Sequence, residues 1–226
     1  MKLEDVPAIA QKYAPLLMFD LKEPFYPDKV AITVLYEPGP SRSFRRSFDF
    51  REPDIGYIVE YAIWWDYEIG HLYELEHVWV YVGQDGSVLD CEVSNHGAVL
   101  KGLRKDRSNL IGETQVRLYS QPGKHAFSPI PELFELLPQA DAACTTLAGN
   151  DGLLVNDMFA EDFSTNDEID GWVRAYLQSC AFTPTYEFKA YELDPASFTT
   201  WDALRQEIPV RIHARIVELR SRYSRM

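Results

Sequence analysis

Glu76-His77-Val78-Trp79-Val80-Tyr81-Val82-Gly83-Gln84-Asp85-Gly86-Ser87-Val88-Leu89-Asp90-Cys91-Glu92-Val93 is the stretch that decides the fold class. Its β-branched and aromatic residues suit a pleated surface. Gly83-Gln84-Asp85-Gly86 is turn chemistry between two such runs, so the whole reads as a β-hairpin.

Outward from that hairpin, Tyr57 to Trp65, Val30 to Tyr36 and Leu16 to Phe19 have the same strand character, as does Gln115 to Ser120. Helices gather elsewhere. Asp5 caps a short opening helix that Ala14-Pro15 ends, because a residue before proline is pushed out of the α region. Pro131 to Leu137 makes another short one. Thr165-Asn166-Asp167-Glu168 is a capping box before a stripe of Ile169, Trp172, Val173, Tyr176 and Leu177. Thr199 and Thr200 start a further helix, and Pro209 begins a separate final one. Gly149-Asn150-Asp151-Gly152 and then Leu153-Leu154-Val155 read as loop and strand, with Asp151 serving a turn. No repeat or Gly/Ser linker interrupts the chain. The predicted class is mainly β (α+β), an antiparallel β-sandwich with peripheral helices mostly in the C-terminal half. One domain spans residues 1–226, with its sandwich core at about 13–130 and helical additions at about 131–226.

Of the 226 residues, 46% are hydrophobic and 25% charged, which is ordinary for a globular chain. The formal net charge of −13 repels nucleic-acid phosphates and anionic lipid surfaces, so neither is an expected partner. Cys91, Cys144 and Cys180 form no CxxC pair and read as free thiols in a reducing compartment. With no basic-then-apolar start and no apolar run of membrane-spanning length, the expected location is cytoplasmic. Arg211, Arg215, Arg220 and Arg222 make a basic C-terminal stretch, read as a solvated face or a contact with the acidic body. Oligomeric state is not legible.

The chemistry concentrates between Trp64 and Trp79, where Asp66, Glu68, His71, Glu74, Glu76 and His77 lie among apolar residues. With Glu74 onward extended, the two-residue period puts Glu74 and Glu76 on the face of Val78 and Val80, and turns His77, Trp79 and Tyr81 away. Carboxylates facing a core are costly unless paired, protonated or bound to a cation. His71, in a glycine-hinged turn just upstream, is placed to join them. His77 and His213 are read as structural. No phosphate loop, Rossmann fingerprint, HExxH helix or Gly-x-Ser-x-Gly elbow occurs.

Gly70-His71-Leu72-Tyr73-Glu74-Leu75-Glu76 resembles the Gly-His-Arg-His-Asp-Trp-Glu signature of the necrosis-inducing (NPP1-type) proteins. The resemblance extends to the Vps62-related β-sandwich proteins, which carry a shorter Asp-Trp-Glu. Tyr13-Ala14-Pro15-Leu16 with Glu23-Pro24-Phe25-Tyr26-Pro27, then Ser94-Asn95-His96-Gly97, then Gly123-Lys124-His125-Ala126 resemble further elements of that group in the same order. The resemblance covers residues 13 to 130 and implies a β-sandwich that binds a divalent cation. Carried over, the implied ligands are His71, Glu74 and Glu76, with Asp66 as the upstream acid. Leu72-Tyr73 in place of Arg-His, Glu74 in place of Asp and Leu75 in place of Trp depart from the signature. Plant-cell cytolysis is not implied, because secretion and disulfide signals are absent from this sequence.

The expected cofactor is therefore a divalent metal ion, with Mg²⁺, Ca²⁺, Mn²⁺ and Zn²⁺ all compatible with mixed imidazole and carboxylate donors. If the centre is hydrolytic, His96 and His125 are the candidate general base and acid, His96 next to Gly97 and His125 two residues after Gly123, both near strand edges. The alternative is a non-catalytic module whose small-molecule ligand is a glycan or lipid head group. A third reading is an interaction protein with a structural acidic cluster.

Overall fold

The computed structural model describes residues 6–50 and 54–224; the expected helix cap at Asp5 lies outside them. The chain runs α1 (Val6–Lys12), β1 (Leu16–Asp20), β2 (Lys29–Leu35), β3 (Gly39–Pro40), β4 (Ser47–Phe48), β5 (Ile55–Tyr67), β6 (Leu72–Gly83), β7 (Val88–Asn95) and β8 (Ala98–Lys101). After these come β9 (Leu110–Ile111), β10 (Gln115–Ser120), β11 (Phe127–Ser128), α2 (Glu132–Glu135), α3 (Ala140–Cys144), α4 (Asp167–Ser179), β12 (Phe188–Glu192), β13 (Phe198–Thr199) and α5 (Trp201–Tyr223).

The hairpin read from the sequence is the spine of the larger sheet, whose strand order is β13-β2-β5-β6-β7-β8. The second sheet runs β11-β10-β1-β12, with β9 paired to β10. Leu17 and Phe19 of β1 and Val116 and Leu118 of β10 share one buried core with Tyr61, Ile63, Val78 and Val80 of the larger sheet. The architecture is sandwich-like with helices added, as expected. It is not uniformly antiparallel: β1–β10 and β13–β2 pair in parallel. Parallel neighbours require long crossover connections, and both pairs join segments far apart in the chain.

The C-terminal half does more than decorate these sheets. β12 pairs along all of β1, from Leu16↔Glu192 to Asp20↔Phe188, and β13 extends the larger sheet beside β2. Helix α5 buries Trp201, Leu204, Ile208, Ile212 and Leu219. It is one helix, not the two expected: Pro209 sits inside it. Proline forfeits one backbone hydrogen bond, and the apolar residues buried on either side hold the helix together across that gap. In α4 the cap is Asn166 rather than Thr165, its side chain accepting from the N–H groups of Glu168 (3.0 Å) and Ile169 (2.9 Å). The apolar stripe of α4 packs on the core as expected, with Val173 and Leu177 fully buried.

Cys91 and Cys144 are buried free thiols and Cys180 is half-buried. Among the described residues no helix is long and apolar enough to cross a membrane.

Candidate metal centre

β5 and β6 pair with a single register across this region, Trp65↔Glu74 and Ile63↔Glu76, so both glutamates share the core-facing side of the sheet with Trp65 and Ile63. Between the strands, Glu68-Ile69-Gly70-His71 forms the connecting loop, closed by Glu68 N–H to His71 C=O (3.1 Å). The pairing of β6 with β7 runs only from Val78↔Val93 to Val82↔Val88. Where β7 leaves, side chains and loop amides take over. The Ser94 hydroxyl donates to Glu76 Oε2, and the His96 N–H donates to Glu76 Oε1 at 3.1 Å.

Residues 149–152 buttress the loop from behind. Gly149 N–H donates to Ile69 C=O (2.8 Å), Asp151 N–H to Gly70 C=O (2.9 Å), and Leu72 N–H to Gly152 C=O (2.9 Å). Gly152 has φ +60 and lies against Asp170, where a Cβ would come within 2.5 Å of Oδ1. That carboxylate also accepts from Leu153 N–H at 2.9 Å, so α4 is tied to the centre. The strand expected at Leu153-Leu154-Val155 does not form; the pairing here is an isolated bridge between Gly152 and His71.

The result is a cleft of about 650 Å³ bounded by His71, Glu74, Glu76, His96, Asn156 and Met158. Donor atoms of Glu68, His71 and Glu74 lie within 4.8 Å of one another, as do those of Glu74, Glu76 and His96. Glu74 belongs to both sets. His71 Nε2 is 3.2 Å from Glu68 Oε1 and 3.9 Å from Glu74 Oε2. His96 Nε2 is 3.1 Å from Gln121 Oε1. Tyr73 (φ 63) and His96 (φ 48) are left-handed, a cost that surrounding contacts must hold in place.

Burial pushes the carboxyls of Glu74 and Glu76 up to about 7, reinforced for Glu74 by Glu76 and for both by Glu68; the hydrogen bonds to Glu76 only partly offset this. Glu68 is different. Burial would raise it, but the charges of His71 and Lys124 and the Gly70 N–H (2.6 Å) outweigh that and hold it below its usual value. The His96 imidazole, partly removed from water, is kept below its usual value despite Gln121, while the residue as a whole is exposed.

His71, Glu74, Glu76 and His96 are thus brought together, and two of the expected site residues are not. Asp66 lies one step out of phase with Trp65, on the opposite side of the sheet from Glu74. Its carboxylate accepts from Arg211 Nε (2.7 Å), Arg211 Nη2 (2.8 Å) and Trp64 Nε1 (3.0 Å), so its charge is already paired with a guanidinium. His125 is fully buried away from the cleft, stacked on Trp65 at 4.6 Å with Nε2 3.2 Å from Glu23 Oε1. From its Gly-x-His-Ala element it is Lys124 that reaches the centre, onto Glu68. Glu68, not Asp66, is the upstream carboxylate with an oxygen within 4.8 Å of donor atoms of His71 and Glu74. His77 points away as expected, stacked on Trp79 at 5.4 Å, and its buried ring is pushed down to about 3 by loss of water contact. His213 lies exposed on α5.

No protein-family model and no curated protein matches the chain. Solved structures do. NLPPya in complex with glucosamine aligns over 56% of this chain and 67% of its own, at 16% identity and TM-score 0.38, and its mannosamine complex gives the same values. A structure described as a toxin fold as basis for microbial attack and plant defense aligns over 54% and 66%, at 16% identity and TM-score 0.33. The likeness to the necrosis-inducing proteins is a distant one, in structure as in the heptapeptide.

Proposed function

We propose that the protein binds a divalent cation in the cleft beside β6, through His71, Glu74, Glu76 and His96, and uses it to hold a small polar ligand. The observation that carries this reading is the pair of adjacent, desolvated carboxylates with two imidazoles converging on them. Desolvated carboxylates that lack a cationic partner are unfavourable, and a divalent ion relieves exactly that combination. Oxygen and imidazole donors together suit Mn²⁺ or Zn²⁺ and admit Mg²⁺ or Ca²⁺. The breadth of the cleft around these donors leaves room for a glycan or lipid head group beside the ion.

A metal-dependent hydrolase is the second reading, and His96 is the residue that favours it. His96 is exposed, its ring has a nitrogen within 4.8 Å of Glu74 and Glu76 oxygens, and burial holds that imidazole below its usual value, which favours the unprotonated form a general base requires. The metal would supply Lewis acidity to either the ligand or a water.

Calorimetric titration with Mn²⁺, Zn²⁺, Ca²⁺ and Mg²⁺ tests the first reading. One ion should bind per chain, and Glu76→Gln should lose it; unchanged uptake in that variant removes Glu76 from the ligand set. Metal-loaded protein that turns over no phosphate or carboxyl ester settles the choice for the binding module.

A further inference from the structure

We infer that Lys124 is a tethered cation that occupies the Glu68 carboxylate, withholds it from a divalent ion and so sets the affinity of the centre. The inference rests on the cation-binding reading above and adds a residue to it. Glu68 is within reach of the same donors as the ion, its oxygen lying within 4.8 Å of donor atoms of His71 and Glu74. Both its oxygens are already engaged. Oε1 meets the Lys124 ammonium, and Oε2 accepts from Gly70 N–H at 2.6 Å. An ammonium cannot share a carboxylate oxygen lone pair with a metal without strong repulsion between the two cations.

The local backbone is arranged around this pair. A Cβ at residue 70 would come within 2.8 Å of Lys124 Nζ and 2.9 Å of Glu68 Oε1, so a side chain there would drive the two apart. On the other side, the turn that carries Lys124 is anchored: Gly123 (φ +68) donates its N–H to the buried Glu23 carboxylate at 2.8 Å. Lys124 N–H donates to Gln121 C=O at 3.1 Å. Lys124 is therefore presented by a fixed turn and is not a surface lysine that has strayed onto an acid. Of the three buried or half-buried carboxylates, one is cancelled internally and Glu74 and Glu76 are left for the ion.

Mn²⁺ titration of wild type, Lys124→Met and Lys124→Met/Glu68→Gln tests this, with circular dichroism to establish folding. Lys124→Met should tighten Mn²⁺ binding about tenfold or more, because a like charge leaves and a fifth donor, Glu68, is released. The double variant should return to within about threefold of wild type, since the pair it removes is neutral. Unchanged or weaker binding in Lys124→Met overturns the inference while wild-type uptake keeps the cation reading intact. A double variant that loses binding also overturns it, by making Glu68 a ligand in the native protein. Should Lys124→Met fail to fold, Lys124→Gln, which also removes the charge and keeps Glu68, carries the same expected tightening and the same overturning result. Uptake by Lys124→Met but not by wild type would support the inference in its strongest form, and no uptake by any of the three would end both readings.

Discussion

Glu74 and Glu76 share one face of β6 with no lysine or arginine at ion-pair distance among the described residues, and this has a consequence for stability that needs no ligand. Both carboxyls titrate higher in the folded chain than their ordinary 4.5, near 7. Between those values the folded state holds more protons than the unfolded one, so stability falls as pH rises. The contribution is fully present below pH 4.5 and is lost as pH passes 7. The metal-free protein should therefore lose melting temperature from pH 5.5 to 8, with Glu74→Gln flattening the trend and Mn²⁺ reversing it. Melting curves at fixed ionic strength, with and without EDTA, check this. Asp66→Asn should separate the two acids read from the same stretch. Ion uptake stays unchanged, while breaking the Arg211 pair costs about 2–4 kcal/mol in urea unfolding. The shared face of Glu74 and Glu76 was legible from the two-residue period, and the nearness of His71 to Glu74 from the glycine-hinged turn before β6. Asp66 was misread because its phase depends on the β5–β6 register, which a single strand does not reveal. Glu68 and Lys124 carried no pattern of their own: they meet only once residues 70 and 123 bring two distant loops together.

At the level of elements, the sheet was legible and the helix ends were not. Most strand ends moved by no more than two residues, since alternation and the Gly83–Gly86 turn define them locally, but β6 begins four residues before the expected Glu76, at Leu72. Thr165 has the right residue type for a cap, but its hydroxyl goes to Asp170, which also receives the Leu153 amide behind the carboxylate cleft. Asn166 caps instead. Pro209 misled for a related reason: proline argues for a helix boundary only where nothing else holds the helix together. Here Ile208 and Ile212 are buried on either side of it. Pro209→Ala should restore the missing backbone bond to Arg205 and stabilise the protein by about 1 kcal/mol, the gain being reduced by a more flexible unfolded chain. Chemical denaturation of the variant measures it, and a loss of stability would mean that the proline ring is itself needed at this place in the helix.

Across the whole molecule, the division into a sandwich core and helical additions meets a topological obstacle. β1 lies in the second sheet between β10 and β12, and β12 comes from residues 188–192. A chain ending at residue 130 would leave one edge of β1 unpaired along its length and uncover the core face that α4 and α5 close. Exposed strand edges of that kind favour association over folding. The centre would suffer with it, because its loop is held from behind by residues 149–152 and through them by Asp170 of α4. Fragment 1–130 should therefore show no cooperative urea transition and bind no Mn²⁺, whereas the full chain should unfold in one step by both tryptophan fluorescence and circular dichroism. A fragment that unfolds cooperatively would make the second half a true addition. Two separated transitions in the full chain would instead place a domain boundary between α3 and α4, where α4 alone would have to be rigid enough to hold the loop that carries His71.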